Sequence, residues 1–276
     1  ALAYFETHAY AKARNQIQAM LGRRDSAELH NLLADVEEAA GNYVRAANEY
    51  QRAARMEPSE EYIFDWGSEL LTHQTWEAAR EVFSDGIARY PQSAKLNVGL
   101  GIALYSRSDY EPAIKALCTA TDLAPTEQWP YLFLGKMFNI SSTSADEVSK
   151  RLARFVQLQP KNPQATYYYA LSLWKREQNS EANLVKVESL LKKAVALNGG
   201  FSDAHLQLGI LYGKEWKYAE AIHELQRAIA LQPDLTTAHY HLAQAYVRTG
   251  EQSRAQQEFH TFERLRRQDQ AQTEKE

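Results

Sequence analysis

Eight histidines, 35 acidic side chains and one cysteine are the residues of this 276-residue chain best equipped to bind a metal or move a proton. His239 and His241 lie two apart, on different sides of any helix that carries them, and cannot easily share an ion. His223-Glu224 lacks the second histidine of a helical zinc-protease motif. With Cys118 as the only thiol, an internal disulfide and a cysteine-cluster metal site are excluded. A lone thiol permits a reducing compartment without requiring one, which leaves the compartment open with a slight lean to a soluble, cytoplasmic chain over a periplasmic or secreted one. Gly99-Leu100-Gly101 has no third glycine and no preceding strand, so it is not a dinucleotide-binding turn. No phosphate-binding loop, nucleophile elbow or kinase signature is present. Glu37-Glu38 reads as a solvated helix face, and Asn139-Ile140-Ser141 as a glycosylation triplet of the kind that arises by chance. The chain is therefore expected to be no enzyme and to hold no cofactor and no metal.

The elements that carry these residues announce themselves by period. Pro58, Pro91, Pro125 and Pro160 stand 33, 34 and 35 residues apart, and Pro233 continues the series after a longer interval. Each follows an amphipathic run, such as Ala53 to Glu57 or Ala228 to Gln232, where proline ends one helix and fixes the turn into the next. Glycine and proline are too scarce, at 12 and 8 residues, to punctuate a β-rich or disordered chain. The net charge of −4 disfavours nucleic acid as the partner, since phosphate backbones call for a basic surplus. The longest mostly apolar run, Leu96 to Tyr105, is far short of the ~20 residues that membrane insertion requires.

Within each period the residues resemble the tetratricopeptide repeat, whose units of ~34 residues read W-x2-L-G-x2-Y, then A-x3-F, then P. The match is best at Leu208-Gly209 with Tyr212, Ala221, Leu225, Ala228 and Pro233. It recurs at Leu33-Ala34 with Tyr50 and Pro58, at Trp66-Gly67 with Ala79 and Phe83, at Leu100-Gly101 with Ala113 and Leu117, and at Leu242-Ala243 with Ala255 and Phe259. His30, His205 and His239 fall in the slot where that family often has a packing tryptophan, which implies a structural role for them. The resemblance implies an all-α, right-handed superhelical α-solenoid of antiparallel helix pairs, because no unit buries its apolar face without its neighbours. It covers one solenoid over 1–269. A partial repeat spans 1–26, full repeats span 27–59, 60–93, 94–127, 128–162, 163–201, 202–235 and 236–269, and a polar tail follows over 270–276. Beginning mid-repeat, the natural protein is expected to extend N-terminally of Ala1. Two units depart from the pattern: Ser141 to Ser144 makes a long polar turn ahead of an N-terminal helix cap, and Lys175 to Asn183 an expanded one.

In this family the first helices of successive units line a concave surface, and partner peptides or helices usually bind there. The inward stripe, at i, i+4 and i+7, reads Asn31, Asp35 and Glu38; Phe64, Ser68 and Leu71; Val98, Ile102 and Tyr105; Leu132, Lys136 and Asn139; Tyr167, Leu171 and Trp174; Leu206, Ile210 and Gly213; Tyr240, Gln244 and Val247. Trp129 joins it near the mouth of the fourth unit. A stripe acidic at one end and apolar to aromatic in its middle suits another protein, bound as an extended peptide or amphipathic helix. Asp35 and Glu38 are expected to meet basic residues of that partner, while Phe64, Leu71, Ile102, Tyr105, Trp129, Leu132, Tyr167, Trp174, Ile210 and Tyr240 give it apolar anchors. Family members that grip a C-terminal carboxylate use lysine and asparagine in the groove; Asn31 stands in the first lysine slot and Asp35 follows, which argues against that mode. The expectation is a scaffold or adaptor. The alternative is a substrate-recruiting or regulatory arm of an enzyme whose catalytic domain lies outside this chain.

Overall fold

The computed structural model describes residues 4, 7–137, 144–176 and 181–273, and these form fifteen α-helices and no strand. Asn139 of the predicted stripe, the triplet at 139–141, most of the first expanded turn and residues 177–180 of the second lie outside the described residues. The fold is an all-α helical-repeat solenoid. It packs as two compact units, Ala1–Arg151 and Leu152–Glu276.

In the first unit a leading helix, α1 (Tyr10–Leu21), is followed by the pairs α2 (Ala27–Ala39) with α3 (Tyr43–Met56), α4 (Glu60–Thr72) with α5 (Trp76–Arg89), and α6 (Ala94–Ser106) with α7 (Tyr110–Leu123), and then by α8 (Gln128–Met137). The boundary between the units falls within α9 (Ala145–Leu158). In the second, α10 (Pro163–Arg176) pairs with α11 (Glu181–Leu197), α12 (Ser202–Lys214) with α13 (Tyr218–Leu231), and α14 (Thr236–Thr249) with α15 (Gln252–Thr273). The last helix runs on through most of the tail that the sequence reading leaves outside the solenoid.

The punctuation has visible causes. Each of Pro58, Pro91, Pro125, Pro160 and Pro233 stands two residues beyond a helix whose last residue is Met56, Arg89, Leu123, Leu158 or Leu231. Three first helices start on a serine cap: the hydroxyls of Ser26, Ser59 and Ser93 accept the backbone N–H of Leu29, Tyr62 and Leu96 at 3.4, 3.2 and 3.1 Å. Between the two helices of a pair, one residue turns left-handed. That slot holds Gly41 and Gly250, and elsewhere Gln74, Ser108 and Trp216.

Close approach within a pair depends on a missing Cβ. A Cβ on Gly67, Gly101 or Gly209 would come within 2.7 Å of Phe83, Leu117 or Leu225, each 16 residues later and each closed to solvent. The tryptophan-slot histidines follow a second fixed relation. His30, His205 and His239 are buried, and their Nδ1 atoms bond the carboxylates of Glu49, Glu224 and Glu258, each 19 residues on, at 2.6 Å for His205 and 2.5 Å for His239. Their Nε2 atoms face Asp25 Oδ1 and the carbonyls of Gly199 and Pro233. Both imidazole nitrogens are occupied in a dry interior, as a buried ring requires. At the N-terminal end, Ala13 and Ile17 of α1 pack on Leu29, Leu33 and Val36. There Arg14 grips the buried Glu37 with two 2.6 Å bonds. Burial would raise the Glu37 carboxyl, but Arg14 and Asn42 hold it below its ordinary range.

Candidate functional site

First helices of successive pairs touch, α4 with α6 and α12 with α14, so their inward faces form continuous surfaces inside each unit. In the second unit that surface opens into a cleft of about 660 Å³. The volume lies within the range of sites that hold small ligands or a few side chains. Its floor is apolar: Ile210 and Gly213 from α12, Ala221 and Leu225 from α13, Ala245 and Val247 from α14, and Phe259 from α15. Its rim carries Lys214 and Arg248, which occupy equivalent places in adjacent repeats, with Gln244 and His241 between. Neither cation pairs with a carboxylate among the described residues, although the Lys214 ammonium lies 4.9 Å from the centre of the Trp174 ring. Lys217, by contrast, is neutralised by Glu215 at 2.7 Å. Burial, with Lys214 adding to it and a hydrogen bond with Gln244 opposing, holds His241 below its ordinary value, and the rim's permanent charges are Lys214 and Arg248.

Trp216 completes the mouth of the cleft. It is 79% exposed and sits in the left-handed turn slot with φ 60°, where Gly41 and Gly250 stand in other repeats. A bulky side chain there is strained by roughly 1–3 kcal/mol, a cost that recurs at binding and switch sites. The signal for this residue was in the sequence: it breaks a slot of small or polar residues at the repeat spacing. The inward stripe contains neither it nor Lys214 and Arg248, and the repeat pattern gives Phe259 only a packing role.

Four stripe positions, Ile210, Gly213, Gln244 and Val247, line the cleft. The others divide. Tyr105, Trp129 and Tyr240 are exposed, at 40%, 60% and 37%, and none of them lines the cleft. Phe64, Leu71, Ile102 and Leu132 are half-buried; Phe64 and Leu71 pack against the cluster around Phe83. Tyr167 and Trp174 are buried and correct the expectation of open aromatic anchors there. The Tyr167 ring stacks 4.9 Å from Phe201, which precedes α12, and Lys214 covers Trp174. Neighbouring repeats occupy the face that the pattern assigned to solvent.

The acidic end of the stripe is also more closed than the pattern implies. Asp35 is half-buried and accepts the Tyr50 hydroxyl at 2.7 Å, and Asp65 accepts from Asn31 Nδ2 at 3.0 Å. Burial pushes both carboxyls up. Glu69, 5% exposed, is pushed up to about 7, first by burial, then by a hydrogen bond and repulsion from Glu38, with His73 pulling the other way. Because the folded value lies above the unfolded one near 4.5, the protonated carboxyl stabilises the fold fully below about pH 4.5. That contribution is lost as pH rises through about 7. With chelator present, the melting temperature is expected to fall over this window, by an amount on the order of 2 kcal/mol in stability. Glu69→Gln should flatten the slope; a variant profile as steep as the parent's would contradict the assignment.

Models described as Tetratricopeptide repeat match residues 1–61 and 64–127, and one described as TPR repeat matches 217–250, together more than half of the chain. The chain belongs to the tetratricopeptide repeat family. Such repeats mediate protein–protein contacts. Among curated proteins, the mouse Protein O-mannosyl-transferase TMTC3 is 24% identical over 183 residues, which are 62% of this chain and 20% of that protein. The human counterpart is 23% identical over 205 residues, 67% and 22% of the two chains. The chain thus spans about a fifth of the length of these relatives. Among solved structures, the C-terminal part of a TPR repeat-containing protein from Cytophaga hutchinsonii superposes with a TM-score of 0.66 at 13% identity, over 87% of this chain and 96% of that one. YrrB, described as a TPR protein with an unusual peptide-binding site, gives 0.54 at 18% identity over 70% and 96%. These likenesses establish a shared repeat fold. Among the described residues, no helix is long and apolar enough to cross a membrane.

Proposed function

We propose that this tetratricopeptide repeat chain is a non-catalytic scaffold that holds an acidic segment of a partner protein in the cleft between α12 and α14. The observation that carries this reading is the pairing of an apolar floor with two unneutralised cations on its rim. An extended or helical segment seats an apolar side chain on Ile210, Val247 and Phe259, stacks against the exposed Trp216, and sets carboxylates or phosphates against Lys214 and Arg248. The basic partner expected at Asp35 and Glu38 is less well supported, because burial and internal hydrogen bonds already engage that end. Panning a random peptide library on the chain tests the reading. Enriched peptides should combine an aromatic or aliphatic residue with acidic neighbours; enrichment of basic peptides would contradict it.

A second reading, a substrate-recruiting or regulatory arm of a larger enzyme, draws on the match to about a fifth of an O-mannosyl-transferase. The same cleft serves that role, with the segment belonging to a substrate of the enzyme.

A further inference from the structure

Glu38, Glu69 and His73 converge from two repeats at the ends of α2 and α4, and one atom from each lies within 4.8 Å of the other two. Glu69, on α4, and His73, which caps the C-terminal end of that helix, are four residues apart and lie on one side of it. His73 Nε2 is 3.3 Å from Glu38 Oε2 and 3.4 Å from Glu69 Oε1. A zinc ion bound tetrahedrally at ~2.0–2.1 Å from nitrogen and oxygen holds its ligand atoms roughly 3.3 Å apart. Two edges of that figure are already present.

Glu69 supplies the independent observation. Its side chain is 4% exposed, yet Oε1, the atom aimed at His73, meets no hydrogen-bond donor within bonding geometry. A buried acceptor left bare is costly, and a cation among three ligands would satisfy it. The imidazole is held in place, since the Tyr43 ring stacks on it with centroids 4.2 Å apart. Glu38 and His73 are each about a third exposed, which leaves an entry path and room for water as a fourth ligand.

We propose that Glu38, Glu69 and His73 form a binding site for a zinc-class divalent cation that ties two adjacent repeats together. One imidazole and two carboxylates suit borderline first-row ions; calcium and magnesium take oxygen ligands and are not matched by the histidine. The sequence expectation of no metal considered histidine pairs along one helix. This set escaped it because Glu38 comes from another repeat, 35 residues before His73.

The test uses the full chain freed of metal by chelator, titrated with Zn²⁺ by calorimetry and with Co²⁺ by visible absorption. One ion per chain at this site, tetrahedral Co²⁺ bands and a rise in melting temperature with Zn²⁺ are expected. Glu69→Gln and Glu38→Gln should each weaken Zn²⁺ about tenfold or more. His260→Ala, an exposed histidine on α15, should leave the affinity unchanged. Circular dichroism of the metal-free variants checks folding; if Glu69→Gln alters it, the more exposed Glu38→Gln decides. Absence of Zn²⁺ binding by the parent, or parent-like binding by the folded glutamine variants, overturns the proposal.

Discussion

Gly99→Val is expected to destabilise the first unit by roughly 3 kcal/mol or more, through one ring. Phe83 on α5 is closed to solvent and lies between two glycines of the flanking first helices. A Cβ on Gly99 of α6 would lie 2.4 Å from its Cε1 and Cζ, and one on Gly67 of α4 would lie 2.5 Å from Cζ. Real Cβ atoms do not come that near, so the ring or a whole helix must shift. Alanine at position 99 gains helix propensity worth about 1 kcal/mol, yet the clash outweighs it, and a net loss of about 1–3 kcal/mol is expected. Phe83→Leu alone costs stability by leaving a void. Combined with Gly99→Ala it removes the clashing ring atoms, so the double variant should be more stable than the sum of the singles predicts, by about 1 kcal/mol. Strict additivity in chemical denaturation would mean that the close approach is not what holds these three helices together.

The second large effect concerns binding. Reversing both rim charges, Lys214→Glu with Arg248→Glu, should weaken an acidic segment selected on the parent by about a hundredfold, on the order of 3 kcal/mol. The loss should shrink as salt rises, because rim charges are screened. Helicity should be kept, since both residues are exposed and neither is ion-paired among the described residues. Lys214 also covers Trp174, so a small fall in melting temperature accompanies the change. An unaltered affinity would place the segment elsewhere.

The helix pairs were legible in the sequence because their punctuation is local. A proline two residues past five of the helices, a serine cap before three others and a small residue 16 places ahead of a large one each act within one repeat. The cleft was only partly legible. Ile210, Gly213, Gln244 and Val247 follow the helical period, but their exposure depends on what the next repeat places against them. Tyr167 and Trp174 show the same dependence with the opposite result, since Phe201 and Lys214 close over them. Period assigns a side chain to a face, and only packing between repeats decides whether that face stays open. The metal-ligand set was hidden for a related reason: Glu69 and His73 stand four apart in one repeat, but Glu38 meets them from another, 35 residues before His73.

The most direct test of the scaffold reading fills the cleft without touching the core. Gly213 lines it, and a Cβ built there meets nothing within 4 Å. Gly213→Tyr should leave the melting temperature nearly unchanged, because Gly213 is the last residue but one of α12 and a side chain there meets open space. The decisive measurement is the affinity of a library-selected acidic peptide for the parent and for this variant, side by side with their melting curves. The account predicts at least about a tenfold loss of affinity with the fold intact. Equal affinity in a stably folded variant would contradict it and move the binding surface away from the α12–α14 cleft.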